Sequence, residues 1–322
     1  MGVLAASGAG LYGVGADPSI LGAEGLTAFP VAARGLFGGG YIGSANVNTI
    51  DYIQIATTGN ATDFGDLTVA RRGVGACSSS TRGVWANGNS GSNSNIIDYV
   101  EISTTGNATD FGDSTQAREA SAGCSSETKG LFAGGYISSV PGVNTIDYIT
   151  IATTGNATDF GDLTTSTHWF AGLASSTRGL FGGGYVAINV ISYVTIATIG
   201  NATDFGDLTA GRQASAGCSS STRGLFGGGK TSVEVNTIDY VTIATTGNAT
   251  DFGDLTVARQ RAGGCSSPTR GVFAGGFFST TRTDAIDYVE IATTGNATDF
   301  GDLTLARDTG VGGLSNAHGG LG

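Results

Sequence analysis

One eight-residue phrase limits what this chain can become. "GNATDFGD" begins at Gly59 and recurs letter for letter at Gly106, Gly155, Gly200, Gly247 and Gly295, 45 to 49 residues apart. A catalytic centre needs its unusual residues once, at one point of convergence. Six copies at a nearly fixed period instead mark an array in which each unit buries its faces against its neighbours.

The stretch Thr177 to Gly224 serves as one unit. It alternates short β-branched and aromatic runs with Gly, Ser and Asn and carries no helical periodicity, so it reads as four strands. Strand B is "RGLFGG", strand C "ISYVTIAT", strand D roughly "ATDFGDL", and strand A, opening the next unit, roughly "QASAGCSS". A Gly-Asn pair between C and D predicts a tight turn, because both residues tolerate positive φ. Phe64 and its equivalents are expected to pack inward, with the Asp and Thr side chains bonding the turn backbone.

Six four-stranded units without helices predict an all-β fold, a six-bladed β-propeller of four-stranded antiparallel blades. The spacing agrees. From the last Asp of the phrase to the Gly opening strand B the count is 17 in every copy, taking Gly319 as the last such Gly, and from the Ile opening strand C to the phrase it is 9. All length variation therefore falls in the B-to-C loops, which should emerge on the same face as the D-to-A connections. "RDTGVGGLSNAHGGLG", from Arg307, matches "RRGVGACSSSTRGVW", from Arg71, without a gap, so a C-terminal strand A is expected to close the ring against strand B at Arg34-Gly35. Segment 22–34 could serve instead, although Pro30 and the absent Arg count against it. Residues 1–30 form a Gly/Ala-rich N-terminal extension, read as a docking segment, and 31–322 the propeller.

The net charge of −11 is scaffold charge: 17 of the 26 acids occupy three repeated columns. An acidic chain without a basic stripe excludes nucleic acid as a partner. No apolar run is long enough to span a membrane, and no membrane insertion is expected. Cys77, Cys124, Cys218 and Cys265 share one column with Leu173 and Gly313. Residues that interchange with Leu and Gly behave as small buried groups, so the cysteines read as free thiols.

"AR", "GLFGGG" and "IDY" in succession resemble the kelch repeat, with its double glycine ending the second strand and a tyrosine in the third; Phe64 and its equivalents stand where kelch carries tryptophan. The phrase "NTIDYITIATTGNATDFGDLT" resembles more closely the kelch-like, galactose-oxidase-central-domain-like propeller repeats of tailed bacteriophages. The resemblance covers residues 35–322 and implies a phage virion component, such as a tail fibre, tail-tip or capsid-decorating protein, made in the host bacterial cytoplasm.

The residues argue against catalysis. Asp-Phe-Gly lacks the lysine and loops of a kinase. His168 and His318, the only two histidines, form no nucleophile constellation, and six of ten tyrosines form a packing column. Two carboxylates and a turn carbonyl in "TDFGD" suit calcium, but capping or arginine pairing is the simpler role, so neither metal nor cofactor is expected. Binding is expected on the variable face, at Tyr41, Asn87, Tyr136, Tyr185, Lys230 and Phe277, with Arg71, Arg118, Arg212, Arg259 and Arg307 as a ring of guanidiniums at the channel mouth that would hold a carboxylate. Pairing of these arginines with the Asp columns is the alternative. The expected function is thus non-enzymatic recognition. The expected partners are other virion proteins through residues 1–30 and a host-surface glycan or protein, with a homo-oligomer within an assembly also compatible. A secreted lectin-like propeller is the second reading and a propeller enzyme the third.

Overall fold

The structure, a computed structural model, describes residues 32–138, 140, 142–308 and 310–321. The chain divides into Met1–Val31 and Ala32–Gly322, so the expected docking segment lies outside the described residues.

Six four-stranded antiparallel sheets follow one another round a ring. Blade two sets the pattern, with strand A at Gly75–Ser78, B at Arg82–Ala86, C at Ile96–Glu101 and D at Thr109–Asp113. Strand A of each blade packs against the A strands of both neighbours, which places it innermost and closes the circle. Blade one takes its strand A from Gly312–Ser315, which pairs antiparallel with Arg34–Gly38. The C-terminal strand therefore closes the ring.

The register differs by one residue from the gapless match. Leu36 faces Leu314, whereas Val84 faces Cys77, so Leu314 and not Gly313 occupies the cysteine column. The extra residue lies between Asp308 and Gly310, because Gly310 repeats the left-handed conformation of Gly73, both at φ 65°. Gly319 accordingly opens no strand B; it begins a 3-10 turn, Gly319–Leu321.

The column then explains itself. The strand-A residue of each blade presses on the glycine that opens strand B of the next: a Cβ on Gly130 would lie 2.5 Å from Cys77 Sγ, one on Gly224 2.5 Å from a Leu173 methyl, and one on Gly83 2.8 Å from a Leu314 methyl. Cys, Leu and Leu are knobs, and the glycine is the hole that admits them. The four thiols are buried and free, and burial pushes them well above their ordinary range.

The repeated phrase is a clasp between blades. Strand C of blade one turns at Gln54–Thr57, where Thr57 N donates to Gln54 O, so Gly59-Asn60 lies beyond the turn and is not the tight hairpin expected. In blade two the letters Gly-Asn-Ala run along strand D of blade one instead. Gly106 N donates to Phe64 O at 2.8 Å, Ala108 N to Asp66 O at 2.7 Å, and Asp66 N to Asn107 Oδ1 at 3.1 Å. The front half of each phrase thus grips the back half of its predecessor, including blade one on blade six through Asn60 and Asp302. Gly65 must lack a Cβ, which would sit 2.4 Å from Gly106 O. Its φ of 148° also disfavours a side chain. Beneath the clasp, Phe64 is 2% exposed and meets Tyr52 edge-to-face at 5.9 Å, an arrangement repeated in all six blades. Such pairs contribute roughly 0.5–1.5 kcal/mol beyond their burial.

Candidate functional site

The B-to-C loops and D-to-A connections share one face, as the spacing predicts. Arg72 bridges to Asn89, Glu119 to Tyr136, Gln213 to Lys230, Gln260 to Phe277 and Asp308 to Tyr41. At this face two concentric rings of positions surround the channel. The outer comprises Tyr41, Asn89, Tyr136, Tyr185, Lys230 and Phe277; the inner comprises Arg72, Glu119, His168, Gln213, Gln260 and Asp308. Tyr185 N donating to His168 O completes the set.

Five of the six expected loop residues therefore stand together on the outer ring. Asn87 does not. It is 0% exposed, takes the left-handed conformation (φ 65°) that Gly39 takes in blade one (φ 70°), and donates to Ser121 Oγ at 3.1 Å. Asparagine tolerates that conformation and so replaces the first glycine of the pair, which puts Asn89 on the ring.

Arg71, Arg118, Arg212, Arg259 and Arg307 are not at the channel mouth. They are 0–1% exposed and pair with the strand-C aspartates, Arg71 with Asp98 at 2.7 Å, Arg118 with Asp147 at 2.9 Å, Arg212 with Asp239 at 3.0 Å, Arg259 with Asp287 at 2.7 Å and Arg307 with Asp51 at 3.1 Å. A guanidinium with no accessible face takes no ligand, so the pairing alternative describes them. Each aspartate also accepts from the threonine ending the previous blade; for Asp98 these bonds come from Thr68 N at 3.2 Å and Thr68 Oγ1 at 2.6 Å. Thr-x-x-Arg is thus a latch that pins each connection to the next blade. Burial lowers the pKa of these arginines from the ordinary value and the aspartates oppose it. Arg34, Arg82, Lys129, Arg178, Arg223 and Arg270 are scaffold too, each stacked over its own blade's tyrosine at 4.5–5.2 Å.

The channel is no conduit. Strand A places Gly123, Gly172, Gly217, Gly264 and Gly313 against the preceding blade's backbone so closely that a Cβ on any of them would lie 2.2–2.4 Å from a carbonyl oxygen. Toward the variable face this waist opens into a funnel of about 90 Å³ lined by Gly73, Ala120, Trp169, Ala214, Arg261 and Gly310, among others. Below it lies a chamber of about 50 Å³. There Ser78, Ser125, Ser219, Ser266 and Ser315 each donate to the preceding blade's carbonyl, Ser125 to Ser78 O at 2.7 Å for example; Ala174 interrupts the circle. His318 stops the far end. Its Nδ1 accepts from Gly320 N at 3.1 Å and its Nε2 lies 3.2 Å from Ser78 O. A neutral imidazole makes both bonds with Nε2 as the donor. Burial lowers its pKa to about 4, against the opposing bond to the Ser78 carbonyl and the Glu127 charge.

Sequence reasoning missed the inner ring and the two side chains above the funnel, Trp169 and Arg261. The signal was present: position 72 and its equivalents read Arg, Glu, His, Gln, Gln and Asp directly after a nearly fixed Arg. Length variation drew attention to the loops, and this column has none. Among the described residues no three His, Cys, Asp or Glu converge as a metal site would need, and no helix is long and apolar enough to cross a membrane. No protein-family model matches the chain, and no curated protein matches it in sequence.

Proposed function

We propose that this propeller is a recognition module that binds rather than catalyses, and that the variable face is its binding surface. One observation carries the reading. Ten large apolar side chains are exposed among the described residues, and nine belong to the B-to-C loops (Ile42, Val140, Tyr185, Val186, Val233, Phe278) or the D-to-A connections (Val69, Val257, Leu305) of that face, leaving only Ile199 opposite. Apolar surface gathered on one side, with polar residues around it, marks an interaction site. Away from that face the buried titratable groups have structural roles, the strand-C aspartates in the latches, the thiols in the core and His318 in the plug. A lectin with one equivalent pocket per blade is disfavoured, because the inner ring carries five different residue types in six blades.

The setting rests on the resemblance of the repeated phrase to phage propeller repeats, from which we take the chain to be a virion component, such as a tail fibre, tail-tip or capsid-decorating protein, with residues 1–30 meeting other virion proteins. Mass spectrometry of purified virions checks the setting. For the face, exchanging Tyr136 to Val140 with Phe277 to Arg282 should abolish or redirect attachment to host cells while the melting temperature barely moves. Attachment unchanged by the exchange would sink the reading.

A further inference from the structure

Resting on the variable face as the recognition surface, we propose that its channel mouth holds one acidic-saccharide site, in which Arg72, Arg261 and Arg282 receive the carboxylate of a uronic acid. The three arginines come from different parts of the ring: the connection entering blade two, the connection entering blade six, and the B-to-C loop of blade six. They meet around Tyr41 and Asp308. Arg72 and Arg282 stand over the same Tyr41 ring, at 5.3 and 4.9 Å from its centre. Arg282 and Arg261 reach Asp308 at 3.5 and 3.9 Å, and Arg261 lies over Trp169 at 5.1 Å above the funnel.

These pairs are loose beside the 2.7–3.1 Å latches of the scaffold. A guanidinium that ends 3.5 Å or more from its carboxylate retains donors for another, and the three side chains are 23–35% exposed. The Nε of Arg261, though buried, finds no hydrogen-bond partner among the described residues. Asp308, Glu119 at 3.7 Å from Arg72, and Glu234, paired with Lys230 at 3.2 Å, count against them, so the three arginines and Lys230 outnumber these three acids by one in a chain of net −11. Burial first depresses the pKa of Arg261; Asp308 opposes it, the Arg72 and Arg282 charges add to it, and Glu234 opposes it last. An incoming carboxylate relieves that crowding.

Two observations favour a saccharide over an acidic peptide. Gln213 stands half-buried at the mouth with an amide suited to vicinal hydroxyls, and Trp169 offers an apolar ring there. An extended peptide that docks by adding a strand needs, in contrast, an open sheet edge. No blade offers one: strand A is walled into the ring and strand D is gripped by the next blade's Gly-Asn-Ala.

Calorimetric titration of the full chain with tetragalacturonate, its methyl ester and tetraglutamate tests the site. Tetragalacturonate should bind at least tenfold more tightly than the other two. Arg261→Gln with Arg282→Gln should remove that preference, while Lys129→Gln on the opposite face leaves it intact. No binding of tetragalacturonate, equal binding of the ester or of tetraglutamate, or a preference that survives the double substitution would overturn the proposal. If loop exchange nevertheless abolishes host attachment, the recognition reading stands and only the uronate site falls.

Discussion

The two faces of this propeller treat repetition in opposite ways. On the hairpin face six copies of one phrase make six copies of one set of contacts, down to the Asn side chain that caps the neighbouring strand. On the variable face the corresponding columns hold Arg, Glu, His, Gln, Gln and Asp in one ring and Tyr, Asn, Tyr, Tyr, Lys and Phe in the other. A residue whose partner is the next blade cannot change alone, because the partner is itself a copy. A residue whose main neighbour is solvent or a ligand can. Blade four tests that rule from within the chain. Thr167 and Ser192 there replace the latch arginine and aspartate together, and Ser192 bonds the Thr164 hydroxyl instead. Both partners changed, and the blade kept its four strands.

The largest break comes from removing residues 306–322, which takes away strand A of blade one, the Arg307 latch and the His318 plug at once. The shortened chain should lose its cooperative melt and aggregate, because Leu36 and its neighbours become solvent-exposed. Circular dichroism melting with size-exclusion chromatography reads this, and a truncation as heat-stable as the full chain would refute ring closure by this segment.

Next in size is the latch. Arg212→Thr alone leaves Asp239 buried without its cation and should cost about 3–5 kcal/mol in urea unfolding. Adding Asp239→Ser, which recreates the blade-four pair, should recover at least half of that loss. Strictly additive effects would mean that the two columns do not act as a unit.

A smaller, pH-dependent effect sits in the plug. The folded state holds His318 neutral down to about pH 4, while the unfolded chain takes up that proton near 6.5. Between those values the unfolded state binds more protons, so stability is full above about pH 6.5 and declines as pH falls toward 4. His318→Gln should flatten this part of the melting-temperature profile, and an unchanged slope would remove His318 as its source. Smallest of all, the loop exchange on the variable face should shift stability by no more than about 0.5 kcal/mol, as surface changes usually do.

Much of this was legible because the repeat is written along the chain. Period, strand order, the inward Phe64 column, the single face of length variation and the C-terminal closing strand all follow from local alternation and counted spacing, which need no knowledge of the third dimension. The tertiary structure decided the rest. Arg71 and Arg72 are adjacent in sequence, yet one is sealed against Asp98, 27 residues away, and the other stands at the mouth beside Tyr41. Asn87 and Asn89 likewise part into core and surface. Nor does the phrase itself say that its two halves belong to different blades, since that pairing joins residues about 42 positions apart. Strand pattern is set by each residue's own neighbours along the chain. Which charge is buried, and which glycine is a hole for the next blade's knob, depends on how closely six units must crowd around one axis.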